Sequence, residues 1–357
     1  MKRHLTILAA SALLGLSIGS SAQDIHFSQF YENAILRNPG LTGIYSGDYK
    51  FGMDYRSQWG TVAVPYNTVM LSGETRVLVN RELGDYLSFG FLATYDKAGT
   101  INFTSTQIYP AVAFNKALDD QHFTYLSVGL TGGILSRSVD QSLMTFSTQY
   151  QNGGYNSANP TLETSSFKSM INYDVGAGVS LNSSLDFNGR YNYYLGVSAY
   201  HLNSPSVIFA GDANSSKMPI KWQGSAGLNL PITESFGVAF QGNYSYQQPY
   251  SEGIIGGLFT YKSIPAGLPS IFAFHFGAFY RIGDAFIPTF KIDYKDVSFG
   301  YSYDNNVSTL SNGAGSGASA SEITIYVRGH YEHARNPRDP IMCPRFEDNY
   351  NRNNTFR

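Results

Sequence analysis

Six histidines stand outside the first 22 residues, at His26, His122, His201, His275, His330 and His333. None lies in an acyl-transfer motif of the kind a barrel lipase or protease would place near its outer rim. His330 and His333 are three apart at a strand end, and strand positions i and i+3 point to opposite faces, so they do not form a ready ligand pair. No zinc or EF-hand spacing occurs. The single cysteine, Cys343, cannot form an internal disulfide. The chain therefore reads as a non-enzyme, with no cofactor and no metal.

The charged residues offer more. By strand alternation, Asp54, Arg56, Asp174, Asp304, Glu322 and Arg328 share one face with Glu74, Lys221, Glu252, Lys291 and Asp293. Selective pores usually carry rings of one sign. Mixed signs suit a salt-bridged network that holds a plug or fills a lumen; an ordinary wet porin interior is the other reading.

The elements that must position these charges come from composition and period. Only 14% of the 357 residues are charged, against about 25% in a typical soluble domain. Tyr (27), Phe (24) and Gly (36) are abundant. A net charge of -2 leaves no footprint for nucleic acid. Residues 1–22 read as a secretory signal peptide, with Lys2 and Arg3, an apolar run from Ile7 to Ile18, and Ser20-Ser21-Ala22 as the cleavage site. Gln23 at the next position argues against a lipoprotein. No later apolar run is long enough for a spanning helix.

Strand periodicity takes over instead. In "INYDVGAGVSL", Ile171, Tyr173, Val175, Ala177, Val179 and Leu181 oppose Asn172, Asp174, Gly176, Gly178 and Ser180. "YNYYLGVSAY" and "VSFGYSYD" alternate in the same way. One face is large and aromatic, the other small or charged. A soluble sandwich would expose Lys, Glu and Thr, whereas a membrane barrel turns its aromatic face to lipid and closes its edges. The expected fold class is all-β, a transmembrane antiparallel barrel of about 14 strands spanning 44–332. The expected strands are 48–58, 66–78, 85–96, 104–117, 121–135, 167–181, 190–202, 217–230, 235–246, 249–262, 270–281, 285–294, 297–305 and 321–332. With a periplasmic N-terminus, the long connections 136–166, 203–216 and 306–320 lie outside the cell. A polar tail, 333–357, falls in the periplasm.

Between leader and barrel, "QDIHFSQFYENAILRNPGLTG" has Phe27, Phe30, Tyr31, Ala34 and Ile35 at helical spacing. Asp24 is a plausible N-cap, and Asn38-Pro39-Gly40 a stop. A helix of about three turns is marginal alone in water, so its stripe must dock in the barrel interior, on the periplasmic rim or on a partner. Residues 23–43 are expected as a periplasmic helix or plug, with Phe27, Phe30, Tyr31, Ile35 and Pro39 as its docking residues.

Several stretches carry a resemblance. "HFSQFY" with "NPGLTG" after it resembles the start of the PorP/SprF family of type IX secretion system membrane proteins. "RSQWG…PYNT", "YLGVSAYHLNSPSVIF" and "YRIGDAFIPTFKIDYKDVSFGYSYDNNVSTL" are similar to later parts of that family. "CPRF", Cys343, Pro344, Arg345 and Phe346, is similar to its C-terminal signature. Gly40 departs from the Ala more usual in the family, and "EHARNPRDPIM" does not align.

The resemblance implies a bacterial outer-membrane protein of type IX secretion or gliding. Its partners would be a secreted protein or its C-terminal domain, including a large adhesin with a type B C-terminal domain, and periplasmic ring components. Outer-membrane lipid surrounds it, and no nucleic acid is involved. Tyr150, Asn152, Tyr155 and Asn156 are the expected outer-loop contacts for cargo. The alternative function is an outer-membrane channel for a small solute.

Overall fold

A computed structural model describes residues 24–45, 47–60, 64–80, 83–119, 123–151, 153–162, 169–187, 189–206, 217–263, 272–307 and 319–331. The expected signal peptide (1–22) and tail (333–357), with Cys343, Pro344, Arg345 and Phe346, lie outside these residues.

The first strands are β1 (Tyr49–Gln58), β2 (Tyr66–Asn80), β3 (Asp85–Ala98), β4 (Phe103–Asp119) and β5 (Thr124–Ser138). A small hairpin, β6 (Tyr150–Gln151) and β7 (Gly154–Tyr155), stands in the connection after β5. Next come β8 (Met170–Ser184), β9 (Asn192–Tyr200), β10 (Lys221–Pro231), β11 (Phe236–Gln247) and β12 (Tyr250–Ser263). The last are β13 (Phe272–Arg281), β14 (Ala285–Tyr294), β15 (Val297–Asn306) and β16 (Ala320–Gly329). All except β6 and β7 form one closed antiparallel barrel of fourteen strands. Closure is made by β1 on β16, in register from Tyr49 opposite Gly329 to Gln58 opposite Ala320. No sheet edge is then left unpaired in hydrocarbon.

The fourteen expected segments correspond one to one with these strands. Their parity obeys the alternation: Val197 on β9 is 61% exposed and points to lipid, whereas Ser198 is 3% exposed and points inward. Val197→Arg is expected to lower unfolding stability in liposomes by about 2–4 kcal/mol, measured by urea titration. The inward neighbour is not wet, contrary to a porin-like reading. Ser198 Oγ donates to the Arg37 carbonyl at 2.8 Å, so the lumen is filled at this level.

The two barrel ends differ. One carries the start of β1, the end of β16 and the two-residue turn 295–296; the other carries the ends of β5, β9 and β15, after which come the longest stretches of sequence between barrel strands. Short turns mark the periplasmic end and long connections the outer end.

Candidate functional site

Residues 24–45 run through the lumen. The segment consists of a 3₁₀ turn at Phe30–Glu32, one helical turn α1 (Ala34–Arg37) and a second 3₁₀ turn at Pro39–Leu41. This corrects the single three-turn helix expected from the apolar spacing. Asn33, at φ -102° and ψ 73°, interrupts it. The physical reason lies in the surroundings, because one helix presents one stripe and the lumen has walls on every side. Phe27 and Ile35 pack against Met70, Leu92, Tyr109 and Ala111, on β2 to β4. Phe30 packs with Tyr31 against Ile254, Leu258, Phe279 and Ile287, on β12 to β14. Tyr31 stacks on Phe279 with ring centroids 5.3 Å apart.

The periplasmic placement of this segment is also corrected. From β1 it rises through the barrel until Asp24 lies beside His201 and Lys221, at the outer ends of β9 and β10. Asp24 caps no helix; its carboxylate accepts from Gln107 Nε2 (3.1 Å) and Lys221 Nζ (3.2 Å). Phe27, Phe30, Ile35 and Pro39 are buried within the lumen and Tyr31 is partly buried, so none presents a docking face to a partner in this conformation.

Three polar clusters hold the segment. At the head, the Glu322 carboxylate accepts the backbone N–H groups of Ser28 and Gln29, each at 2.7 Å. Ser28 Oγ donates to Asp304 (2.7 Å) and accepts from Arg56 (2.6 Å) and Arg281 (2.8 Å). Arg56 also pairs with Asp304 at 2.7 Å and Glu322 at 3.1 Å. In the middle, Glu32 pairs with Lys291 (2.5 Å) and Lys50 (3.7 Å). Asn33 Oδ1 accepts from Tyr326, whose hydroxyl also lies 3.1 Å from Asp54. Farther along, Arg37 bonds the Tyr194 hydroxyl, and Asn38 Nδ2 donates to the Val179 carbonyl at 3.0 Å. Asn38 Oδ1 accepts from Gly40 N–H at 2.8 Å.

Glycines line the wall there, between Ser180 and Ser198. A Cβ on Gly129 would lie 2.1 Å from the Pro39 carbonyl oxygen, and one on Gly178 would lie 1.9 Å from Asn38 Oδ1. Asn38-Pro39-Gly40 thus beds on a glycine floor, as well as ending the helical turn.

Alternation assigns Asp54, Arg56, Asp174, Asp304, Glu322 and Arg328 to the inward face, and all six are buried against the lumen. Arg56, Asp304 and Glu322 bond the segment directly, and Asp54 shares Tyr326 with Asn33. Asp174 bonds His201 (2.7 Å) next to Asp24, while Arg328 lies 3.8 Å from Asp293 in the Lys291 cluster. Ser28, Gln29, Asn33, Arg37 and Asn38 are anchors that the apolar spacing does not mark. The available signal was polar residues interleaved with the apolar set, where a one-sided amphipathic helix needs none. The outer-loop residues stand apart from the lumen. Tyr150 is 62% and Tyr155 45% exposed, with their rings 5.5 Å apart across the small hairpin. Asn156 is exposed beside them, and Asn152 lies outside the described residues.

The tip of the segment depends on protonation. Burial lowers the His201 imidazole, but its hydrogen bond to Asp174 and the charge of the Asp24 carboxylate, 3.5 Å from Nε2, outweigh it and push it up to about 9. Burial raises Asp24, and Lys221 with His201 overcome that and hold its carboxyl well below the usual range. A histidine raised above its unfolded value of about 6.5 contributes fully below that pH and loses its contribution through its folded value. The depressed Asp24 contributes above its ordinary value and loses this only in strong acid. Amide protection over 24–27, corrected for intrinsic exchange, is therefore expected to fall as pH rises from 7 through about 9, and the fall should vanish in His201→Gln.

A sequence profile described as type IX secretion system membrane protein PorP/SprF matches residues 19–326. The chain belongs to the PorP/SprF family. It is thus a type IX secretion system membrane protein, and its closed barrel sits in the bacterial outer membrane. No curated protein matches it at a significant level. Among solved structures it is similar to the Ralstonia pickettii toluene transporter TbuX, at 12% identity and TM-score 0.49, covering 83% of this chain and 93% of that one. It is also similar to the Pseudomonas putida toluene transporter TodX, at 11% identity and TM-score 0.46, covering 87% and 95%. At these values the likeness carries no argument about activity, and the architecture rests on the strand pairing.

Proposed function

We propose that this PorP/SprF protein is a plugged scaffold that binds a secreted protein, or its C-terminal domain, at the outer loops and contacts periplasmic ring components of the type IX machinery. Cargo with a type B C-terminal domain, such as a large adhesin, fits this role. The observation that carries the reading is the occupied lumen: residues 24–45 fill it through three charged or hydrogen-bonded clusters. A plugged barrel offers its rims, not its bore, to partners. At the outer rim the exposed hairpin supplies Tyr150, Tyr155 and Asn156, which combine rigid aromatic area with adaptable hydrogen bonding. At the other rim the tail, with Cys343, Pro344, Arg345 and Phe346, is the proposed periplasmic contact, in place of Phe27, Phe30 and Tyr31.

The test is affinity purification from native membranes, with the co-purifying proteins identified by mass spectrometry. A large secreted protein is expected among them, and Tyr150→Ser/Tyr155→Ser to reduce its recovery. In planar bilayers the wild-type protein is expected to be quiet. A large steady pore from pure wild-type protein, with no protein partner retained, would establish the solute channel instead.

A further inference from the structure

We infer that residues 24–42 are a withdrawable plug, and that the lumen they vacate is an aqueous conduit for hydrated solutes. This adds a second state to the plugged scaffold and rests on that reading.

The barrel closes without the plug. The β1–β16 seam is continuous over all ten residues of each strand. The plug joins no sheet, and its backbone is gripped by side chains instead. Glu322 takes the N–H groups of Ser28 and Gln29, and Ser180 donates to the Gly40 carbonyl. Such contacts exchange readily for water once the segment lifts, whereas a sheet ladder would have to unzip.

The wall has the composition of a channel. Inward positions include Thr68, Ser88, Gln107, Ser127, Thr131 and Gln241, all buried. A permanent core is apolar, because burying polar groups costs free energy unless every one is bonded. A wall of hydroxyls and amides is stable in either state. Fourteen strands also make a barrel wider than the eight-stranded ones whose interiors side chains alone can fill.

The fit is incomplete on one side. A cavity of about 40 Å³ separates the plug from β10 to β12, lined among others by His26, Asn33, Arg37, Gln223 and Asn243. Among the described residues, Arg37 Nε, Asn33 Nδ2 and Asn243 Oδ1 find no protein hydrogen-bond partner there, where native interiors satisfy most such atoms.

The tether suits a hinge. Gly43 (φ +83°) and Gly47 (φ +120°) flank the turn into β1, in a region side-chain-bearing residues rarely adopt. The hinge lies at the periplasmic end, so withdrawal is toward the periplasm.

The test combines hydrogen exchange of the full-length protein in nanodiscs with planar-bilayer conductance. Amides of 24–42 are expected to exchange through an opening of their own, at least tenfold faster than those of β1 and β16. Glu322→Gln, which weakens the grip on Ser28 and Gln29, is expected to speed segment exchange a further tenfold, leave β8 and β9 unchanged, and give discrete openings where wild type is quiet. Asn38→Ala, away from the charge cluster, is expected to do the same and serves if Glu322→Gln fails to fold. Exchange of the segment in step with the strands would overturn the proposal. So would variants whose segment exchanges faster still while their bilayers stay as silent as wild type. A steadily conducting wild type bears on the scaffold reading, and a silent variant bears on the withdrawable plug, so the two failures are distinguishable.

Discussion

Arg56→Met is expected to lower the barrel's unfolding stability by about 3–5 kcal/mol, the usual cost of removing one partner from a buried ion pair. Arg56 is fully buried, bonding Asp304, Glu322 and the Ser28 hydroxyl together. Methionine fills much of the volume but leaves Glu322 without its cation, while Asp304 keeps Arg281 at 2.9 Å. That asymmetry makes a sharper test. Adding Glu322→Gln to Arg56→Met removes the uncompensated charge, so the double variant is expected to be more stable than Arg56→Met alone. Urea unfolding in liposomes reads both, and strict additivity of the two losses would show that the pair is not coupled.

Gly129→Val is expected to unseat the middle of the plug. Its Cβ alone would overlap the Pro39 carbonyl and lie 2.6 Å from the Gly40 nitrogen, both backbone atoms that cannot rotate aside. Overpacking typically costs about 1–3 kcal/mol, and a clash against backbone belongs at the upper end. Asn38 would lose its bond to the Val179 carbonyl, and Ser180 its bond to Gly40. The expected readouts are faster exchange over 38–42 and a new conductance. Gly132→Ala on the same strand is the control, since its Cβ meets only the Asp174 carbonyl oxygen at 3.8 Å. Equal effects from the two would remove the glycine floor as the cause.

The two variants act on parts of the molecule that differ in how far the sequence reveals them. Arg56, Asp304 and Glu322 are assigned to the lumen by simple alternation, because a strand reverses face at each residue and a hydrocarbon exterior leaves charges only one side to occupy. Their shared ligand is another matter. Ser28 lies 276 residues from Asp304 and 294 from Glu322 in the chain, and no local pattern encodes such a meeting. Gly129 is equally opaque: in sequence it is one of 36 glycines, and its purpose emerges only where Pro39 passes over it.

The helix offers the clearest disagreement. Phe27, Phe30, Tyr31, Ala34 and Ile35 do obey helical spacing, but spacing alone cannot tell a docked stripe from a segment surrounded on all sides. Inside the barrel, Phe27 and Phe30 seek opposite walls, and the chain breaks at Asn33 so that each can reach its own. Asp24 behaves in the same way, suited to a cap by its position and claimed by His201 and Lys221.

The sequence by itself determined the class, the number of strands, the face each residue shows and the family, because those depend on period-two alternation, connection length and short motifs. The tertiary structure alone decided that the chain's own residues 24–45 occupy the bore, that their head reaches the outer end, and that three polar clusters and a glycine floor hold them. Closing a sheet into a barrel brings residues hundreds apart to one axis, and what meets there depends on register and diameter, which no single stretch of sequence contains.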